Sequence, residues 1–225
     1  MKRKIIITED GSTTIHIPEW NEQYHSTHGA IQEAQHVYIK NGLHYYIDTN
    51  QAKPISILEI GFGTGLNAFM TLLEAERLQL NITYKGVEAF PVLATELKQL
   101  NYVSQLHALH QEAAFNKLHA IPWENKAAIT KYFDLIKEQK DFSEISEKNA
   151  FDIIYFDAFG AEVQPELWTE AIFKSMYTAL KENGVLVTYA AKGSVKRALR
   201  NVGFNLKRLQ GPPGKRHMLR ATKVL

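Results

Sequence analysis

Apolar and polar positions alternate in two short runs at the start of the chain, residues 3–8 and 13–17, around the turn-rich stretch Glu9, Asp10, Gly11 and Ser12. This pattern predicts a β-hairpin. A polar loop follows, and the run GAIQEAQHVYIK then predicts a helix from about Gly29 to Lys40, stopped by Asn41 and Gly42. From Pro54 onward the period switches repeatedly between two and 3.6. The segment ISILEI reads as a strand, a glycine loop leads into the helical run LNAFMTLLEAERL, ITYKGVEA reads as a second strand, and a helix is predicted from about Pro91 to Leu100. Residues 103–126 are weakly periodic and support only a short helix. A strand within ITKYFDLIKEQ, the apolar strand FDIIYF, a helix from about Pro165 to Leu180, the strand GVLVTYA and the helix SVKRALRNVG complete the alternation. Strands alternating with helices predict an α/β fold, a parallel sheet covered on both faces.

The end of the chain departs from that rhythm. FNLKRLQ and KRHMLRAT are joined only by Gly211, Pro212, Pro213 and Gly214, too short for a crossover helix, so this pair must be antiparallel. The expected architecture is a mostly parallel, Rossmann-like sheet of seven strands closed by a C-terminal hairpin. Residues 1–50 form a small β/α extension and residues 51–225 the main domain. Composition fits a globular protein, with 45% hydrophobic and 22% charged residues. The absence of cysteine removes disulfides, thiolate metal sites and a cysteine nucleophile, which makes the cytoplasm the expected compartment. The opening MKRKIII is too short in its apolar run to read as a targeting segment, and no apolar stretch is long enough to suggest a membrane span.

The net charge of +2 conceals an uneven distribution. Ten basic residues and no acid lie between residues 192 and 225, leaving sixteen basic against twenty-four acidic residues, net −8, in the first 191. A positive end on an acidic body is the footprint of a polyanion partner; a solvated basic rim is the plainer alternative.

The most specific local signal is ILEIGFGTGLN, which sets Glu59, Gly61, Gly63 and Gly65 at the end of the first parallel strand, where open α/β sheets bind ligands. A dinucleotide fingerprint wants glycine at its sixth position, and Leu66 stands there. The GxGxG spacing instead suits a flat turn against an uncharged nucleoside and amino-acid ligand, as in the first motif of class I methyltransferases. Glu88 stands twenty-three residues past Gly65 at the predicted end of the next strand, where a carboxylate accepts hydrogen bonds from ribose hydroxyls. Asp141 is a candidate contact to the adenine amino group if the third strand ends near Gln139.

FDIIYFDAFG delivers Asp157 to the tip of a later strand, facing cofactor and acceptor. Methyl transfer is an in-line displacement, so catalysis is largely positioning of an acceptor lone pair. Asp157 could hold an acceptor amine and favour its proton loss, with Tyr155, Phe156 or Phe159 lining the pocket; a capping role is the alternative. His107 and His110 lack an acidic partner at ligand spacing and read as a solvated pair, so no metal is expected. His25 and His28 could touch substrate or serve a loop.

Taken together, YHSTHGAIQEAQHVYI, DAFGAEVQPELW, AAKGSVKRALRNVGF and GPPGKRHMLRA resemble the methyltransferase domain of the bacterial tRNA 5-methylaminomethyl-2-thiouridine biosynthesis enzymes, from about Asp10 to Lys223. The resemblance implies S-adenosyl-L-methionine as cofactor and tRNA as partner, with methylation of an aminomethyl group on the wobble uridine in the anticodon stem-loop. It assigns Gly61, Gly63, Gly65 and Glu88 to the cofactor, Asp157 to catalysis, and Tyr24 and Glu33 to the pocket and cofactor. Phe159 and Trp168 fall at the acceptor side. Lys192, Lys196, Arg197 and Arg200, spaced along one helix, and Lys215 and Arg216 on the hairpin would track phosphates. Some relatives carry a fused flavin oxidase that prepares the amine; at 225 residues this chain is expected to be the stand-alone transferase, with a separate enzyme supplying the aminomethyl group. Ala161 and Gln164 replace a proline and an asparagine of the family's DAFxPxxNP pattern, and His217 replaces an acid in KREML. The alternatives are a methyl- or aminopropyl-transferase acting on a free small amine, and a non-catalytic RNA-binding module.

Overall fold

The computed structural model describes residues 2–50 and 54–224. The opening hairpin forms as β1 (Lys4–Ile7) and β2 (Thr13–Ile17), extended by a two-residue β3 (Glu22–Gln23) that the sequence pattern did not mark. The first helix overruns its expected stop. It starts as α1 (Ala30–Ala34), continues through a π-helical stretch, Gln35–His44, and ends as α2 (Tyr45–Thr49). Asn41 and Gly42 therefore lie inside it. A Cβ on Gly42 would come within 3.0 Å of both Tyr155 and Val187, so this glycine is a notch that seats the helix on the sheet.

The main sheet contains β4 (Ile55–Ile60), β5 (Ile82–Val87), β6 (Ala127–Ala128), β7 (Phe133–Glu138), β8 (Phe151–Phe156), β9 (Leu180–Thr188), β10 (Asn205–Gln210) and β11 (His217–Thr222). Their spatial order is β10-β11-β9-β8-β4-β5-β7-β6. Strands β9, β8, β4, β5 and β7 are parallel, and the C-terminal hairpin is antiparallel as expected. The seven expected strands become eight because β6 pairs briefly with the edge of β7.

Alternating residues feed two cores. Ile57, Ile153, Tyr155 and Val187 face the long N-terminal helix and α3 (Leu66–Leu78). Leu58, Ile154, Phe156 and Leu186 face α7 (Glu170–Ala179) and α8 (Gly193–Val202) on the opposite side. Between α3 and α7 along the chain come α4 (Ala94–Leu97), α5 (Tyr102–Gln105) and α6 (Glu112–Ala120), with Tyr102 and Phe115 joining the first core. The helix expected over Pro91–Leu100 shrinks to α4, because the Phe90 and Pro91 carbonyls accept hydrogen bonds from the Arg3 guanidinium (3.1 and 3.2 Å). The helix expected from Pro165 divides into a 3₁₀ turn, Pro165–Trp168, and α7, which Thr169 caps. Residues 51–53, where the extension was expected to meet the main domain, lie outside the described residues. No helix among those described is long and apolar enough to cross a membrane.

Candidate active site

Sheet register alone brings the chemistry together. Ile60 at the end of β4 is level with Val87 of β5 and Phe156 of β8, so Gly61, Glu88 and Asp157 emerge side by side at the carboxyl edge. The chain departs from β4 to one side and later returns to the other, which makes this the switch point where open sheets bind ligands. A cavity of about 950 Å³ opens there.

Gly61, Gly63 and Gly65 all adopt positive φ, of 87°, 48° and 73°. At Gly61 a Cβ would lie 2.6 Å from the Asp157 carbonyl, and at Gly63 it would meet the Tyr24 ring at 3.0 Å. The loop is thus pressed between two walls, and only glycine lets backbone line the cavity there. Glu88 is 9% exposed and accepts from the amides of Gly63 (3.0 Å) and Phe90 (2.9 Å). Burial raises its carboxyl above the ordinary range despite those bonds. Thr64, also in the loop, accepts from Tyr102 (3.1 Å) and shares a 2.8 Å hydrogen bond with the buried His25 ring. Burial pushes that ring down to about 4, so it stays neutral.

Asp157 lines the cavity beside the glycine loop. Its Oδ1 accepts from the Tyr38 hydroxyl (2.6 Å) and its Oδ2 from Asn67 Nδ2 (2.8 Å). Burial, followed by the negative charge of Glu33, pushes its carboxyl up to about 7, while Tyr38, Asn67 and Lys215 oppose the rise. A carboxylate balanced near neutrality can take a proton from an ammonium and release it again. The far wall is the buried Glu33, which accepts from the Ser26 amide (2.9 Å) and pairs with Lys215, whose Nζ lies 3.8 Å from the Tyr189 ring centroid. Phe159 packs edge-on against Tyr24 (5.0 Å) and Trp20 (5.8 Å) to complete an aromatic rim.

Most expected residues converge on this cavity: Tyr24, Glu33, Gly61, Gly63, Glu88, Asp141, Asp157, Phe159, Lys192 and Lys215 all line it, as do His25 and His28. Others do not. Glu59 is 1% exposed and points behind the loop, accepting from Asn67 Nδ2 (2.9 Å), so it supports the residue that holds Asp157. Gly65 also lies behind, its Cα against His119, where a Cβ would come within 2.8 Å of the ring. Trp168 is a core residue packed on Phe156, and its indole N–H fixes the Phe159 carbonyl (2.8 Å). Tyr155 and Phe156 are wholly buried, which leaves Phe159 as the aromatic of that segment at the cavity. Asp141 stands at the rim with its carboxylate turned onto Ser143, accepting from that amide at 2.8 Å. Lys215, expected on an outward phosphate track, turns inward to Glu33.

The remaining expected cations do face outward. Arg197 and Arg200 are exposed on α8, Lys196 is half-buried beside them, and Arg216 is exposed at the start of the hairpin's second strand. Lys192 pairs with Glu162 (2.5 Å) at the cavity mouth. Sequence reasoning missed Tyr38, Asn67 and, on the rim, Trp20. Asn67 closes the glycine motif and was visible there; Tyr38 sits on the apolar stripe of a helix and reads as core.

Residues 101–224 match the family model described as S-adenosyl-L-methionine-dependent methyltransferase. The chain is 28% identical over 232 residues to the tRNA 5-methylaminomethyl-2-thiouridine biosynthesis bifunctional protein MnmC of Burkholderia thailandensis, covering 96% of this chain and 34% of that protein. The Burkholderia mallei protein of the same name is 29% identical over 238 residues, with the same coverage. The chain thus spans about a third of the length of these curated relatives. Among solved structures, MnmC2 from Aquifex aeolicus superposes with a TM-score of 0.77 at 25% identity, covering 98% of this chain and 69% of that one. Spermidine synthase from Thermotoga maritima shares the fold, with a TM-score of 0.58 at 16% identity over 98% of this chain and 69% of that one. With the family model spanning more than half of its length, the chain belongs to the S-adenosyl-L-methionine-dependent methyltransferases.

Proposed function

We propose that this methyltransferase acts on the amine of 5-aminomethyl-(2-thio)uridine at the wobble position of tRNA, giving the 5-methylaminomethyl product. The observation that carries this reading is Asp157, a carboxylate poised about neutrality beside a second buried carboxylate, Glu33, in a cavity rimmed by aromatic rings and bordered by Lys192 and Lys215. The names of the MnmC relatives supply the substrate class.

The cradle suits the cofactor: Gly61 and Gly63 leave no side chain between backbone and cavity, and Glu88 offers carboxylate oxygens for ribose hydroxyls. Asp141 at the rim would have to turn its carboxylate from Ser143 to meet the adenine amino group. When bound, S-adenosyl-L-methionine supplies an electrophilic methyl carbon. The protein must then present an amine with a free lone pair. Asp157, ionised, accepts a hydrogen bond from the incoming ammonium and draws off its proton; Tyr38 and Asn67 keep both carboxylate oxygens in fixed directions. Phe159, Tyr24 and Trp20 exclude water and offer a face to a flat base. Residues 1–50 act as an extension that completes the site, contributing Tyr24, Glu33 and Tyr38 to the unit formed by residues 51–225.

The anticodon loop is single-stranded, so its base can enter the cavity without melting a duplex. Lys196, Arg197, Arg200 and Arg216 would hold the flanking backbone. Nucleoside mass analysis of tRNA from cells lacking this protein should show the aminomethyl nucleoside in place of its methylated form, and purified protein should restore the methyl group. An unchanged nucleoside profile, or efficient methylation or aminopropylation of a free small amine without RNA, would overturn this assignment.

A further inference from the structure

Beside the cavity, the exposed end of the C-terminal hairpin carries a second group of charges that the transfer chemistry does not use. In the β10–β11 ladder Gln210 pairs with His217 and Arg208 with Leu219, so Arg208 and His217 are diagonal neighbours on one face. Leu219 on that face belongs to the core under α7 and α8, which identifies the face as the α8 side. Lys196 on α8 and Arg216, which precedes His217 at the start of the strand, stand close enough that their charges, with that of Arg208, act on the imidazole. On the opposite face the His36 ring engages the Gln210 carbonyl (2.8 Å), and the β9–β11 ladder runs only as far as Thr188 and Leu219. Among the described residues none of Lys196, Arg208, Arg216 or His217 forms an ion pair with an acid.

Three permanent cations around a histidine repel its protonated form, and partial desolvation followed by these charges holds the ring below its usual range. A phosphate placed among them would reverse the balance, accepting hydrogen bonds from the guanidinium groups and the imidazolium together. Lys215, the next residue before Arg216, lines the cavity, so a phosphate held here lies next to its mouth.

We propose that Lys196, Arg208, Arg216 and His217 form a phosphate-binding site for the RNA backbone flanking the target nucleotide, in which His217 takes up a proton as the phosphodiester binds. The proposal rests on the tRNA reading above and adds Arg208 and His217, with a proton, to the contact. By linkage, affinity should rise as pH falls, by up to about tenfold per unit while one proton is taken up.

The test is anisotropy of a fluorescent anticodon stem-loop transcript titrated with the whole protein between about pH 5.5 and 7.5, the range in which histidines titrate. Wild type should bind more tightly toward the acid end, and His217→Gln should flatten that dependence while still binding S-adenosyl-L-methionine by calorimetry. Arg208→Ala should weaken binding at every pH and reduce the salt slope by about one phosphate's worth. If the variant and wild type share the same pH dependence while both still bind and methylate RNA, the phosphate site is wrong and the tRNA reading stands. Absence of RNA binding by well-folded protein at any pH overturns both.

Discussion

The cavity wall and the basic edge hold charge in opposite ways. In the wall, each carboxylate is tied to named donors: Asp157 to Tyr38 and Asn67, Glu88 to two loop amides, Glu33 to Ser26 and Lys215. Along the edge, Arg197, Arg200, Arg208 and Arg216 reach into solvent without acidic partners among the described residues. A buried charge has few ways to relax, so its partners set its proton affinity and its direction. An exposed one is screened by salt and acts as part of a sum. Chemistry at one carbon needs the first arrangement; recognition of a long polyanion needs only the second.

The largest expected effect falls on the wall. Asp157→Asn should lower turnover by about 10²- to 10⁴-fold, the usual worth of a positioned acid–base group, while S-adenosyl-L-methionine affinity by calorimetry changes only a few-fold. Unchanged turnover would remove the proposed role. The same substitution should raise the thermal midpoint above pH 7. Because the folded carboxyl is raised to about 7, the stability its proton gives is present at low pH and lost as pH climbs through that value. Asparagine carries no such loss, so the gap between variant and wild type should widen from pH 6 to pH 8.

A smaller effect is expected one bond away. Tyr38 donates to Asp157 and opposes the rise of its carboxyl, so Tyr38→Phe should move the acid limb of the kcat/KM profile to higher pH by roughly half a unit to one unit. At high pH its kcat should stay within a few-fold of wild type. A uniform fall in rate with the limb unmoved would mean that Tyr38 merely fills space. On the edge, Arg197→Ala or Arg200→Ala should cost only a few-fold in RNA affinity at low salt, and each should flatten the log affinity against log salt plot by somewhat less than one. Effects there as steep as those in the wall would end the contrast between the two regions.

Much of this was legible in the residues. The strand runs ISILEI, ITYKGVEA and FDIIYF and the glycine spacing after the first of them placed Gly61, Gly63, Glu88 and Asp157 at strand ends, and the register brings those ends level. What misled was local punctuation. Asn41 and Gly42 read as a helix stop, yet Gly42 is small because Tyr155 and Val187 lie against it. Lys215 read as one more surface cation, yet a buried Glu33 drew it inward. Trp168 and Glu59 sit in motifs with a functional appearance and act from behind the site, fixing Phe159 and Asn67.

Alternating polarity, the GxGxG turn and the clustering of cations after residue 191 are properties of neighbours along the chain, and they suffice for the sheet, its ligand-binding edge and its charged end. Which side chains surround Asp157 is a different kind of fact. Tyr38 lies 119 residues away from it and Asn67 lies 90 away, and their meeting depends on where a helix settles on a sheet face. Proton affinity follows burial and contact in three dimensions, so only the folded chain could fix it.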